Sequence, residues 1–446
     1  MTSPTLAQRA RAQAADPLLR SAYSLMLNTA ATAALGVVFW VVAARLYDTE
    51  TVGRDAALIA AMMELSAICQ LNLVNAVTRF LPSLERSTAR ALLGAYAVSG
   101  GMALVVGATF VGVAPMISGQ FHFLRESVFG PLYVLSQILW TWFVLQDAAL
   151  TAMRRAPWVP VENAVFGALK LAALPLLLAL GAAQGVFLAF ALPVVLLLVP
   201  VNLFLFRRAI PEHLHRHRPA GTSLRRLGRR RLVGFMAQDY GATVLSQASM
   251  TVLPLLIVAL LGSTANAYFY IPFTMVAAFN MLFFSVSTSL VVEGALAEHR
   301  IQALAARIAR RFGLPVVAGV VLMIAAAPLI LLPFGHDYVR ESAPVLRILA
   351  CGCLFRAATV LYMAVARLQG RGARILAVEA AQVSILVGGA AALATPMGLE
   401  GIALAWVGAS AIVATVTVPS LVRFLRSPKG ALEAAPIMRS EEAAVP

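Results

Sequence analysis

Apolar stretches long enough to cross a membrane alternate with short polar connections along the whole chain. A bilayer core about 30 Å thick takes roughly 20 helical residues to cross. Twelve stretches meet that length, and helix-breaking pairs such as Ala156-Pro157 and Gly262-Ser263 mark several of their ends. We predict spans at residues 21–44, 55–76, 90–113, 129–151, 160–181, 185–206, 233–261, 266–290, 313–333, 343–366, 373–394 and 400–424. The pattern therefore predicts an all-α, polytopic membrane protein of about twelve transmembrane helices.

Basic residues are concentrated on every second connection. With residues near a span end counted in the adjoining connection, the two tails and the even-numbered connections hold 28 of the 35 lysines and arginines. The odd-numbered connections hold 5, and the remaining two, Lys170 and Arg356, lie within spans. Because the insertion machinery and the membrane potential oppose the transfer of positive residues, the basic connections are expected in the cytoplasm. We therefore predict a multi-pass protein with both termini on the cytoplasmic side.

Composition agrees with lipid as the solvent for much of the surface. Hydrophobic residues make up 60% of the 446 and charged residues 12%, whereas a soluble domain carries about 25% charged residues. The net charge of +15 lies in the connections, so membrane headgroups rather than nucleic acid are the predicted partners. No nucleotide-binding Gly-Lys-Ser/Thr loop, nucleophile elbow or metal-ligand spacing is present, so we expect neither an enzyme nor a cofactor.

A run of nine arginines between residues 207 and 231 divides the chain into two parts. We predict an N-terminal six-helix bundle at 1–206, a basic cytoplasmic linker at 207–232, a C-terminal six-helix bundle at 233–426 and a flexible cytoplasmic tail at 427–446. Both bundles would enter the membrane in the same direction, as in a parallel repeat. His213, His215 and His217 alternate within the linker, and they fit either a metal site or a basic loop at anionic headgroups; the surrounding arginines favour the second.

Of the charged residues that fall inside predicted spans, where a charge costs about 2.5–3.5 kcal/mol on insertion scales, seven are candidates for a functional site. They are Glu64, Asp147, Glu162, Lys170, Asp239, Arg356 and Glu379. Such residues tend to face a bundle interior or a wet cavity. Glu64, with Asn28 and Gln70 as polar companions, is a candidate for lining a cavity in the first bundle. The alternative is a cluster of interhelical hydrogen bonds that only holds the bundle together.

Arg356 is the one arginine placed deep in a predicted span, and its planar guanidinium suits phosphate oxygens. It is our candidate anchor for a pyrophosphate, and the alternative is an ion pair with Glu379 of the next span. Arg45, Arg54 and Arg79 are candidate contacts for an anionic headgroup at the rim of a cavity, although snorkelling at the interface explains them as well.

Glu162 and Lys170 lie eight residues apart in the fifth span, so they project from nearly the same helix face. Each could pair with another helix, for example with Asp147. A structural ion pair and a substrate contact fit this spacing equally.

Local segments add a family resemblance. Ala44-Arg45-Leu46-Tyr47 followed by Thr51-Val52-Gly53-Arg54, together with Arg79-Phe80-Leu81-Pro82, resembles the polysaccharide flippases that export O-antigen and teichoic acid. Those proteins belong to the multidrug/oligosaccharidyl-lipid/polysaccharide (MOP) exporter superfamily. The resemblance covers the whole chain in architecture. It implies the fold of MATE transporters and flippases, in which two six-helix bundles form a V around a central cavity.

The resemblance also implies a function in the bacterial plasma membrane. The protein would turn an undecaprenyl-pyrophosphate-linked oligosaccharide, or a related polysaccharide precursor, to the outer leaflet by alternating access. The residues expected to contact the cargo are Arg356, Glu64, Asn28, Gln70, Arg45, Arg54 and Arg79. The residues expected to couple transport to an ion gradient are Glu64, Asp239 and Glu379. The implied partners are membrane lipids, the lipid-linked oligosaccharide, and a glycan polymerase or glycosyltransferases.

Three other classes compete with this interpretation. An ion-coupled drug antiporter of the same superfamily would need an acidic cavity, whereas this chain places an arginine in a span. A major-facilitator transporter usually carries a Gly-x-x-x-Asp-Arg-x-Gly motif between spans two and three, and residues 75–82 lack it. A non-transporting scaffold would have little use for charges scattered through its spans.

The charge distribution predicts that the linker lies in the cytoplasm. A cysteine introduced at Arg225, in a chain whose Cys69, Cys351 and Cys353 are replaced by serine, should react with a membrane-impermeant maleimide only in broken spheroplasts. A cysteine introduced at Arg125, in an odd-numbered connection, should react in intact ones. Labelling of position 225 from outside would contradict the predicted topology.

Overall fold

The computed structural model describes residues 34–84, 87–153, 155, 157–212, 240–296 and 301–426. Helices account for nearly all of these residues, and no strand lies among them. The helices are α1 (Ala34–Leu46), α2 (Thr49–Cys69), α3 (Leu73–Phe80), α4 (Thr88–Ile117), α5 (Phe129–Ala152), α6 (Trp158–Ala179), α7 (Gly185–Phe204), α8 (Tyr240–Leu261), α9 (Ser263–Leu296), α10 (Ile301–Ala325), α11 (Ala327–Leu331), α12 (His336–Leu368) and α13 (Gly372–Arg426). Short 3₁₀ helices cover Leu81–Ser83, Gly119–Arg125 and Leu332–Phe334, and a π-helical turn, Leu205–Ala209, extends α7.

Seven of the described helices are long and apolar enough to cross a membrane, or up to nine if each of two bent pairs is one span. The bent pairs are α2 with α3, and the 3₁₀ helix Gly119–Arg125 with α5. Each of the twelve predicted spans overlaps a described helix, since α1 is the described end of the first span and α13 covers the last two. The prediction of an all-α, polytopic membrane protein is confirmed.

The 55 residues of α13 fold back on themselves at Gly398. At 1.5 Å per residue a straight helix of that length would extend about 80 Å, far more than a bilayer core. Gly398 has φ 58°, a conformation that glycine adopts without strain. The chain reverses beyond Gly398. The reversal brings Gln382 and Ser410 together, and the side chain of Gln382 donates to that of Ser410 at 3.2 Å. The two spans predicted on either side of residues 395–399 are therefore separate segments of one hairpin.

The second predicted span differs from the continuous helix expected over 55–76. It begins earlier, at Thr49, and α2 ends at Cys69 before α3 continues at an angle of 52°. Leu71 and Asn72 have positive φ values of 49° and 61° at the break. Asparagine tolerates this left-handed conformation and leucine does not, so the break stores strain in the backbone.

Helix α2 joins the two parts of the chain. We call residues 34–212 the N-half and residues 240–426 the C-half. Within the N-half α2 packs against α4, α5 and α7, and on its other side it packs against α8 and α9 of the C-half. The C-half is built around α12, which contacts α9, α10 and α13.

The halves approach most closely where α2 and α9 begin. A Cβ atom added to Gly53 would lie 1.8 Å from the carbonyl oxygen of Ser263 and 2.7 Å from the amide nitrogen of Ala267. A residue larger than glycine at this position would therefore push the two helices apart.

Replacing Gly53 should destabilise the protein. Gly53→Ala should lower the melting temperature, because overpacking a tight contact costs about 1–3 kcal/mol. The matched control is Gly94→Ala in α4, where nothing lies within 4 Å of an added Cβ. Alanine is favoured over glycine in a helix by about 1 kcal/mol, so the control should melt at the same or a higher temperature. Equal melting temperatures for the two variants, measured in the same detergent, would contradict the close approach.

Candidate functional site

Polar contacts between the halves run along the length of α2. Where α2 begins, the side chain of Asn266 donates to the carbonyl oxygen of Gly53 at 2.7 Å. In its middle, Gln247 of α8 donates to the carboxylate of Glu64. Near its end, the Tyr240 hydroxyl donates to the carbonyl oxygen of Ile68 at 2.8 Å. We call this row of contacts the α2 seam.

Glu64 is the carboxylate in the middle of the seam. It is half-buried, and its bond to Gln247 crosses from the N-half to the C-half. The donor is a neutral amide, so the contact leaves the charge of an ionised Glu64 uncompensated. A proton or a cation that binds Glu64 would therefore change the electrostatics of the contact between the halves.

Arg356 and Glu379, predicted separately as an anion anchor and a coupling carboxylate, form an ion pair within the C-half. Arg356 Nη2 of α12 lies 3.3 Å from Glu379 Oε1 of α13, and the side chains are only 8% and 4% exposed. Arg356 Nη1 and Glu379 Oε2 are also buried, and neither has a hydrogen-bond partner in the described part of the chain. The pair therefore neutralises the two charges but leaves donor and acceptor capacity on both groups.

The predicted rim arginines lie apart from this pair. Arg45 donates to the carbonyl oxygen of Pro333 in the C-half at 2.7 Å. Arg54 donates to the carbonyl oxygen of Ala183 at 2.5 Å. Both therefore hold backbone at the end of the seam where α2 begins. Arg79 is exposed and its guanidinium lies over the ring of Phe80, 5.5 Å from the centroid.

Three other predicted positions complete the comparison. Gln70 is buried just after α2 ends, beside the break in the second span. Asn28 and Asp239 lie outside the described residues, as do His213, His215 and His217 of the linker.

Asp55 is a buried charge that sequence reasoning did not select. Its carboxylate accepts hydrogen bonds from the amides of Val186 (3.1 Å) and Phe187 (3.0 Å) at the start of α7, and Arg54 lies 3.4 Å away. A carboxylate at a helix N-terminus satisfies amides that have no partner within the helix. Asp55 thus ties α2 to α7. The sequence signal that could have identified Asp55 is its position next to Arg54 at the start of an apolar run.

Lys170 has aromatic rings as its neighbours, and not the carboxylate that was one of the two alternatives from the sequence. Its side chain is buried, and Nζ lies 4.9 Å, 5.2 Å and 5.1 Å from the ring centroids of Phe39, Phe166 and Phe190. A desolvated cation–π contact contributes about 2 kcal/mol or more. Three rings from α1, α6 and α7 therefore hold this ammonium inside the N-half, and among the described residues it makes no ion pair with Asp147 or Glu162.

Comparison with known proteins identifies the architecture. No protein-family model matches the sequence, and no curated protein matches it. An inward-facing multidrug resistance MATE family transporter of the MOP superfamily superposes with a TM-score of 0.67, at 15% identity, over 88% of this chain and 94% of its own. Lipid II flippase MurJ in an inward closed conformation gives 0.65, at 12% identity, over 89% of this chain and 87% of its own. The chain has the fold that these proteins share.

A further likeness concerns a MOP superfamily transporter from Pyrococcus furiosus, described by the reversed polarity of its binding pocket. It superposes with a TM-score of 0.55, at 14% identity, over 90% of this chain and 93% of its own. These likenesses confirm the predicted MATE-like or flippase fold. At such identities they concern the fold, and the chemistry of the cargo has to be argued from the residues of this chain.

Proposed function

We propose that this protein is a flippase of the bacterial plasma membrane. Its cargo is a lipid-linked oligosaccharide of the undecaprenyl-pyrophosphate type, or a related polysaccharide precursor, and it moves that cargo by alternating access. The fold shared with MurJ and with MATE transporters supports a transport role. The membrane lipids and the lipid-linked oligosaccharide are then its partners, with a glycan polymerase or glycosyltransferases acting on the same cargo.

The choice of an anionic cargo rests on Arg356. Its guanidinium is buried, and only part of its hydrogen-bonding capacity is used. A guanidinium presents five donors in a fork that matches phosphate oxygens. Glu379 engages one of its terminal nitrogens, and the other is buried without a partner in the described structure. A pyrophosphate that reaches this site competes with Glu379 for the guanidinium. Glu379 then takes up a proton, which links binding of the anion to proton uptake.

The α2 seam supplies the moving contact in this proposal. Its bonds are few and involve backbone carbonyls and amides, so opening one end replaces protein hydrogen bonds with water at a small net cost of about 1 kcal/mol each. With the orientation predicted from the charges, the Gly53 end faces the outside and the Ile68 end faces the cytoplasm. Alternating access would separate these two ends in turn.

A second candidate is an ion-coupled antiporter of small molecules or drugs. Two observations favour it: the fold is shared with multidrug MATE transporters, and Glu64 is a carboxylate that accepts from the neutral amide of Gln247 across the seam. A cationic drug would be attracted to Glu64 and repelled by an uncompensated Arg356. Both candidates need Glu64, but only the flippase needs Arg356.

Arg356→Ala should abolish glycan export. The single change also leaves Glu379 buried without its counter-ion, which costs about 3–5 kcal/mol. The variant Arg356→Ala/Glu379→Gln removes that penalty, because it leaves no isolated charge. We expect the double variant to reach the wild-type amount in the membrane, measured by immunoblot, and still to leave the surface glycan absent.

The double variant separates the two roles of Arg356. Normal surface glycan in Arg356→Ala/Glu379→Gln cells would show that the guanidinium only balances Glu379, and would remove the anion-binding role. Loss of resistance to cationic drugs in Glu64→Gln cells, with surface glycan unchanged, would favour the antiporter.

Glu64→Gln should impair export, because it removes the titratable group from the middle of the seam while keeping its size and an oxygen that accepts from Gln247. We expect at least a ten-fold lower rate of cargo transfer in proteoliposomes. Glu50→Gln, an exposed change in the first turn of the same helix, is the control and should transport normally. Transport by Glu64→Gln at the rate of this control would leave Glu64 a structural role only.

A further inference from the structure

A row of hydrogen-bonded polar side chains crosses the N-half and ends at two adjacent carboxyls. The Tyr96 hydroxyl of α4 donates to the Asn202 side chain of α7 at 2.8 Å. Asn202 donates to Gln146 of α5 at 2.6 Å, and Gln146 donates to Glu162 Oε1 of α6. Beyond Glu162, the carboxyl of Asp147 lies within hydrogen-bond reach. Four helices thus meet through this row.

The two carboxyls face each other without a donor between them. Glu162 is 5% exposed. Its Oε2 and the Oδ1 of Asp147 are both buried, and neither has a hydrogen-bond partner within the described residues. Buried acceptors nearly always find a donor, because an unpaired one costs about 1–3 kcal/mol. One proton shared between these two adjacent oxygens would give both of them a hydrogen-bond partner.

Among the described residues no basic side chain forms an ion pair with Asp147 or Glu162. On α6, Lys170 is held by the three phenylalanine rings described above. Arg155, in the connection to α6, and Arg208, in the turn that extends α7, both pair with Glu212. Arg207 of that turn and Arg90 of α4 are exposed. The packed helices α2 and α3 offer Asp55, Glu64 and the exposed Arg79.

Tyr96 of α4 is the titratable neighbour that interacts electrostatically with both carboxyls, and its hydroxyl is committed to Asn202. Two carboxylates in contact repel each other strongly, so both cannot stay ionised in this environment. A metal ion is the other means of neutralisation, and a hard divalent cation takes about six oxygen ligands. Among the described residues no group of three or more histidine, cysteine, aspartate or glutamate side chains could hold one.

We propose that Asp147 and Glu162 form a proton-binding site that holds one proton between their two carboxyls. The row from Tyr96 to Gln146 fixes the Glu162 carboxyl, and the Asn163 side chain bonds to Asp147 on the other side. The site lies near the ends of α5 and α7 and the starts of α4 and α6, which is the predicted cytoplasmic end of the N-half. A role for this proton in driving transport rests on the proposed function, whereas the existence of the site does not.

Infrared spectroscopy of the purified full-length protein tests the site without any cargo. At neutral pH the wild-type protein should show a protonated-carboxyl C=O band that shifts in D₂O. Asp147→Asn, Glu162→Gln and the double variant should each lose the intensity of one carboxyl, because an amide in place of one carboxyl donates a hydrogen bond to the other and favours its ionised form. Glu126→Gln, at an exposed position, should leave the band unchanged.

The outcomes are distinct. Absence of a protonated-carboxyl band in the wild-type protein would overturn the proposal whether or not any variant folds. Persistence of the full band in the double variant would also overturn it, and loss in only one single variant would place the proton on one residue and refute sharing. The double variant carries no charge at the site and retains amide groups of the same shape, so it is the variant expected to fold best. Failure of glycan export alone would concern the proposed function and not this site.

Discussion

The cost of placing a charge in an apolar bundle is the constraint on which this structure depends. An ionised side chain removed from water requires a partner, and this chain provides a different one at each position. Arg356 has a carboxylate, Lys170 has three aromatic faces, and Asp55 has two backbone amides at a helix N-terminus. Apart from Phe166, which lies on the same helix as Lys170, each partner comes from another helix, so the contacts that compensate the charges also fix how the helices pack.

The contacts across the α2 seam differ in kind from the contacts inside the halves. Inside the halves, Arg356 is compensated by Glu379 and Asp55 by backbone amides, all in buried positions, and breaking such a contact leaves an isolated charge in an apolar environment. Across the seam, the donors and acceptors are two backbone carbonyls, two side-chain amides, a hydroxyl and the carboxylate of Glu64, and water can replace the partner of each. The two halves can therefore separate without exposing their internal ion pairs, which is the mechanical requirement for rigid bundles that rock against each other.

Hydropathy and helix-breaking residues were sufficient to predict the helices from the sequence. They were much less sufficient to predict the contacts of the candidate site. The hairpin at Gly398 followed from a proline and a glycine between two apolar runs, and the pairing of Arg356 with Glu379 was one of two alternatives that the sequence allowed. The break at Leu71–Asn72 was missed because it lies in a run that is apolar on both sides. The rings around Lys170 were missed because Phe39, Phe166 and Phe190 look like ordinary core residues until the fold brings α1, α6 and α7 together. Hydropathy does not reveal which side chain of a neighbouring helix will contact a given residue.

The titratable groups of the proposed mechanism lie in three places, and their charges are balanced differently in each. Arg356 and Glu379 are in the C-half, where, in the proposed function, an arriving anion would exchange with a carboxylate. Asp147 and Glu162 are in the N-half, where no cation from the described helices balances them. Glu64 lies between the halves, so its charge affects their contact directly. If a proton is released at the end where α5 and α7 finish while an anion binds in the C-half, the two events are coupled only through the contact at α2. The strength of that contact, and not the affinity of either site alone, would then set how tightly ion movement is linked to cargo movement.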